Sequence, residues 1–185
     1  MKKKSLALVL ALAMIVVCVV GGTLAWLTDK TAPVTNTFTH GDINITLAES
    51  ENLDLKMIPG YTIAKDPKVT VKAGSEKCYL FVKVDKSANF DTFMTYDMAA
   101  GWTALTGVNG VYYRVVDTAD MGTAYSVLAN DKVTVRDTVT KADMNALKAD
   151  DAIQPTLTFT AYACQYNSSN GTHFDAADAW AKVGA

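Results

Sequence analysis

The chain has 185 residues, half of them hydrophobic, with 17 basic and 19 acidic side chains and a formal net charge of −2. No basic stripe or Lys/Arg run follows Lys2-Lys3-Lys4, which argues against nucleic-acid binding. Only 2 histidines and 3 cysteines are present, a small stock for metal or nucleophile chemistry.

In chain order, Lys2, Lys3 and Lys4 precede an unbroken apolar run from Leu6 to Val20. That run is shorter than the ~20 residues a membrane-spanning helix needs. Gly21-Gly22 breaks it, and Thr23-Leu24-Ala25 puts small residues at the two positions a signal peptidase reads. Residues 1–25 therefore read as a secretory signal peptide cleaved before Trp26, with an uncleaved anchor as the alternative. A lipid anchor at Cys18 is disfavoured, because Val17 stands where a small residue is needed. Cleavage removes three lysines and no acid, which leaves a net charge of −5. Residues 26–37 then form an extended polar arm, rich in Thr, with apolar anchors at Trp26, Leu27 and Val34 and with Phe38 just beyond.

From residue 38 onward the pattern is that of strands. Ile43, Ile45 and Leu47 alternate; so do Val69 and Val71, after a turn at Pro59-Gly60. "KCYLFVKVDK" is β-rich throughout. Asn89–Ala100 fits helical spacing, through Phe90, Phe93, Met94 and Met98, at least as well as it fits a strand. Asn109-Gly110, between "GWTALTGV" and "VYYRVVD", predicts a tight hairpin. "KVTVRDTV" and "QPTLTFTAYACQY" supply two more strands, with Pro155 at a tolerated start. Thr140 and Asp143 resemble a capping box ahead of Met144 and Leu147, and a second short helix is expected over Asp175–Val183 with Gly184 as its stop. The sum is an all-β antiparallel sandwich or barrel with one or two short helices, in a single domain over 38–185.

The chain carries few signatures of chemistry. Neither His40 nor His173 lies in an H-E-x-x-H pattern, and there is no nucleophile elbow, phosphate loop or calcium loop. No catalytic residue, metal ligand or cofactor is assigned. Asp117, Asp120, Asp150 and Asp151 read as solvated turns and helix ends, with a weak calcium site as the alternative. Trp102, Tyr112 and Tyr113 on the hairpin read as packing first and as a sugar-binding strip second. Alternation sets Cys78 with Leu80, Val82 and Val84, but sets Cys164 opposite Leu157 and Phe159. The thiols then point to different sides unless a bulge shifts one strand. Export favours a disulfide and the pattern favours free thiols, so both stand open.

The stretch "GGTLAWLTDKTAPVTNTFTHGDINITLAE" resembles the N-terminus of the TasA and camelysin family of Gram-positive bacteria. The matching elements are Gly21-Gly22-Thr23-Leu24-Ala25, Trp26, Thr28-Asp29, Asn36-Thr37-Phe38 and Gly41. The resemblance continues through Pro59-Gly60, "KVTVKAGSEKCYLFVKV" and "TLTFTAYACQY", whereas Asn89–Asp151 diverges. It implies a jelly-roll sandwich, export through a SipW-type signal peptidase, and a place in extracellular fibres of the biofilm matrix or cell surface. It further implies that the freed arm inserts as a strand into a neighbouring subunit, either a second copy or a TasA-like one. Contact with a membrane is expected only before cleavage. Two other functions are open: a camelysin-like metallopeptidase, which requires His40 and His173 to share a metal, and a surface module for glycans or a host protein.

Overall fold

In the computed structural model, which describes residues 41–50, 55–149, 153–168 and 171–184, strands dominate. In chain order the elements are β1 (Ile45–Ala48), β2 (Thr62–Ala64), β3 (Lys68–Val71), β4 (Cys78–Lys86), α1 (Phe90–Phe93), β5 (Met94–Thr95), β6 (Thr103–Ala104), β7 (Val111–Val116), β8 (Ala124–Ser126), β9 (Lys132–Val135), α2 (Lys141–Ala149), β10 (Leu157–Gln165) and α3 (Ala176–Val183). All pairings between these strands are antiparallel. The fold is all-β, as the alternation predicts.

One layer is the sheet β10-β4-β7-β6, and the other holds β1-β3-β8 and β2-β9-β5. The second layer is nearly continuous. The short break between β2 and β3 at Lys65-Asp66-Pro67 lies beside the break between β8 and β9 at Ala129–Asp131. The Lys65 N–H donates to Asp131 O at 2.9 Å, and the Val127 N–H donates to Pro67 O at 2.9 Å. Proline has no N–H to offer a ladder, so a break there costs no strand hydrogen bond.

The two layers meet in one core. Cys78, Leu80, Val82 and Val84 of β4 face Val69 and Val71 of β3, Ile63 of β2, and Val133 and Val135 of β9. The other face of β4 carries Tyr79 and Phe81, which pack with Cys164, Ala179 and Trp180. Helix α3 supplies that cover. Asp175 caps it through the Asp178 N–H at 2.7 Å, and the Gly184 N–H closes on Trp180 O at 2.8 Å. The Trp180 ring lies 5.3 Å from Phe81 and edge-on to Tyr162 at 5.1 Å. Because both faces of β4 are covered, its sequence is a near-continuous apolar run and not an alternation.

Several sequence expectations need refinement. Asn89–Ala100 is neither one helix nor one strand: Phe90–Phe93 make a single helical turn, and Met94–Thr95 pair with β9. Phe90, Phe93 and Met94 are all buried, so both readings of the spacing served one core. The strand Ala124–Ser126 was not expected; its "AYS" is too short to show alternation. The hairpin exists, with Thr103 opposite Tyr113 and Ala104 opposite Tyr112. Its connection is not the tight two-residue turn, however, because it runs through Leu105, which is buried among the aromatics under α3. Gly110 is required for a different reason. It has φ 73°, its carbonyl accepts the Val84 N–H at 2.8 Å, and a Cβ there would sit 2.6 Å from Val84 O. The capping box at α2 forms as expected, with the Asp143 carboxylate accepting the Thr140 N–H at 2.9 Å and the Thr140 hydroxyl accepting the Asp143 N–H at 3.2 Å.

The tryptophan on α3 is the test of the outer cover. Trp180→Ala is expected to cost about 3–5 kcal/mol, the range for buried aromatic truncations, in urea unfolding followed by circular dichroism. A loss under about 1 kcal/mol would show that α3 does not hold the sheet's second face.

Candidate functional site

The expected cleavage site and donor arm (Thr23, Ala25, Trp26, Leu27, Val34 and Phe38) lie outside the described residues, as do His40, Asp150, Asp151 and the boundaries at 25 and 37. What the described residues offer is the receiving side of such an arm. Strand β10 is nine residues long and forms one edge of its sheet; among the described residues no strand pairs with its far side. In the facing layer, among the described residues β2 pairs only with β9. Between these edges lies a groove of about 270 Å³, lined by Met57, Ile63, Phe90, Met94, Val133 and Leu157 among others. A second hollow of about 280 Å³ continues along the seam past Leu47, Pro67 and Phe159. The Lys65 ammonium lies 5.6 Å from the Phe159 ring centroid and is bound by Glu49 at 2.7 Å, so its charge is compensated. Unpaired main-chain groups beside an apolar groove are what an incoming strand uses, hydrogen bonds for affinity and pockets for alternate side chains. The sequence showed the β10 edge only as a strand. The groove joins Met57, Ile63 and Leu157, which are far apart in the chain, and no local pattern reveals it.

The hairpin aromatics do not form a strip. Trp102 and Tyr112 pack against the main core, and Tyr113 lies on the opposite face, against the aromatics under α3. The Trp102 indole N–H donates to Ser126 O at 2.9 Å. The Arg114 guanidinium stands between the rings of Tyr125 and Trp102, 3.7 and 5.4 Å from their centroids. These contacts tie the β6-β7 edge of one layer to β8 of the other through cation–π attraction.

Cys78 and Cys164 are both free and buried. The register pairs Cys164 with Tyr79 and Gln165 with Cys78, so the thiols lie on opposite faces of the sheet, as alternation without a bulge requires. Burial pushes the Cys78 thiol up to about 11 and raises that of Cys164, so neither is an activated nucleophile.

Among the described residues no metal centre takes shape: no three His, Cys, Asp or Glu side chains form a group able to hold an ion. The His173 ring lies flat against Tyr166, at 5.1 Å and 7°. Asp117 is engaged twice, by the Thr118 N–H at 2.8 Å and by Lys77 at 2.8 Å, and those contacts hold its carboxyl below the usual range, the hydrogen bond from Lys77 first. It is the cap and ion-pair partner of a turn.

A two-layer antiparallel β-sandwich with an edge strand unpaired among the described residues is the class of protein these features define. The family model described as camelysin metallo-endopeptidase matches residues 1–86. That match supports the assignment of the chain to the TasA and camelysin family, which the junction sequence resembles. It ends with β4 and leaves Ser87 onward outside. No curated protein and no solved structure matches the chain significantly. The described residues do not fit the metal that the family's name implies. Among the described residues no helix is long and apolar enough to cross a membrane.

Thiol chemistry checks the two-faced placement of the cysteines. Iodoacetamide at neutral pH is expected to leave Cys78 and Cys164 unlabelled in the folded protein and to label both after unfolding in urea, by peptide mass mapping. The folded Cys78 thiol titrates above its ordinary 9.0, at about 11. Its contribution to stability is therefore complete below pH 9 and is lost as the pH rises toward 11. A Cys78–Cys164 disulfide peptide would overturn the placement.

Proposed function

We propose that this is an exported structural protein that assembles into extracellular fibres of the biofilm matrix or cell surface, each subunit laying its N-terminal arm along the open edge of the next. The observation that carries the reading is the nine-residue β10 edge, unpaired among the described residues, beside an apolar groove. The arm has the composition to fill it. Trp26, Leu27, Val34 and Phe38 are apolar anchors among threonines, and threonine combines good β propensity with solubility before pairing. Burying Trp26 and Leu27 contributes on the order of 3–5 kcal/mol before ordering costs. Pro33 fits if pairing begins after it or if its ring faces away from the acceptor.

Donation of this kind is heterologous: the arm of one subunit meets the edge of another, and the contact propagates where a two-fold interface would close. Removal of residues 1–25 by a SipW-type signal peptidase releases the arm, so processing and assembly are coupled in this reading. The partner is a second copy or a TasA-like subunit.

Electron microscopy of the protein beginning at Trp26, with N-terminal sequencing of the natural product, tests this. Filaments are expected from the processed chain. Deletion of Trp26 to Val34 is expected to give folded, soluble monomers, and Met57→Asp, which places a carboxylate in the groove, is expected to slow growth at least tenfold. Filaments of ordinary length from the deleted form would overturn the proposal.

A further inference from the structure

A second concavity lies apart from the apolar groove, with a volume of about 300 Å³, at the lower end of small-ligand sites, and its wall includes Lys86, Asp91, Thr95, Tyr96, Asp97 and Tyr112. Four pieces of the fold meet there: the end of β4, helix α1, β5 with the residues after it, and β7. Its chemistry is the inverse of the groove's, being almost wholly polar.

The wall is fixed before any ligand arrives. The Tyr96 ring stands edge-on to the buried Phe90 ring at 5.9 Å and 67°. Tyr96 and Tyr112 both line the cavity and both pack against the main core, which brings β5's segment beside β7. Burial, foremost, pushes the Tyr96 phenol up to about 12, so it remains a neutral donor and acceptor. The Asp97 carbonyl accepts the Ala129 N–H at 2.9 Å, and the neighbouring Met98 bridges to Leu128. The backbone on both sides of the cavity is thus held.

The charges then select the ligand. Lys86 is consumed by Asp91, whose two oxygens it reaches at 2.7 and 2.9 Å. Asp97 is exposed, and among the described residues its carboxylate has no ion-pair partner within 4.0 Å. The site therefore carries one uncompensated negative charge, which disfavours phosphate, sulfate and carboxylate ligands. Its scarcity of apolar wall disfavours lipids. A carboxylate, a threonine hydroxyl and two phenols together suit a ligand rich in hydroxyl groups, whose O–H groups donate to the acid and exchange hydrogen bonds with the hydroxyls.

We propose that this cavity binds one uncharged or basic pyranose unit of a saccharide. It is a separate site from the assembly edge and does not depend on the fibre reading. It also differs from the sugar-binding strip on the hairpin: only Tyr112 is shared, and Trp102 is taken by packing.

The test is a nuclear magnetic resonance titration of the full chain with the trisaccharides of N-acetylglucosamine and of glucosamine, and with an anionic triuronate as the contrast. Saturable shifts at Tyr96, Asp97 and Tyr112 are expected with at least one of the first two. The triuronate is expected to bind at least tenfold more weakly. Asp97→Asn should weaken binding at least tenfold with the thermal midpoint unchanged, since the carboxylate has no structural partner to lose. No shift at these residues by roughly 10 mM sugar, equal binding of the triuronate, or full binding by the Asp97→Asn protein each overturns the proposal.

Discussion

The double burial of β4 organises this molecule. Nine residues, Cys78–Lys86, sit between β10 and β7 within their sheet and between the sandwich core and α3 across it. Everything with functional weight is positioned from that strand. It sets β10 as an edge on one side, it carries Lys86 into the polar cavity at its end, and it fixes which face each cysteine takes. A central strand with four covered sides has no tolerance for slippage, because a shift of one residue would exchange aliphatic for aromatic side chains in both cores.

The sequence made the architecture legible where the physics is local. Alternation at Val69 and Val71, the apolar run of β4 and the two capped helices each depend on neighbours within a few residues, and each reappears in the structure. The hairpin shows the limit. Asn109-Gly110 signals a turn, but Leu105 has a long-range reason to be buried, and tertiary packing stretched the loop. Tyr96 shows it again: as one aromatic in an ambiguous stretch it carries no signal, and its meaning comes from Phe90, Tyr112 and Lys86 reached through three other elements. The groove is hidden for the same cause. Met57 and Leu157 are a hundred positions apart in the chain, and composition cannot say that they share a wall.

The two concavities differ in kind, and the difference follows from which edges they adjoin. The apolar groove lies where β2 and β10 leave main-chain groups unpaired among the described residues, so it offers length and direction to an extended segment. The polar cavity lies where α1 and β5 close against β4 and β7, so its backbone is already spoken for and only side chains face the opening. One is suited to a chain that continues past the subunit, the other to a compact hydrophilic group. Cation–π contacts orient Lys65 beside the groove and Lys86 beside the cavity, and each ammonium is balanced by an acid, Glu49 or Asp91.

The family match stops at Lys86, which is also the last residue of β4. Both strands that flank β4 come later: β7 from Val111 and β10 from Leu157. A ribosome that has made the matched part has therefore made a central strand with nothing beside it, and the longest ladder, β4 with β10, waits for nearly the whole polypeptide. Pairings this distant in sequence close slowly. For a chain proposed to be exported, late closure is an advantage: the order of its strands delays the folding that would oppose passage across a membrane.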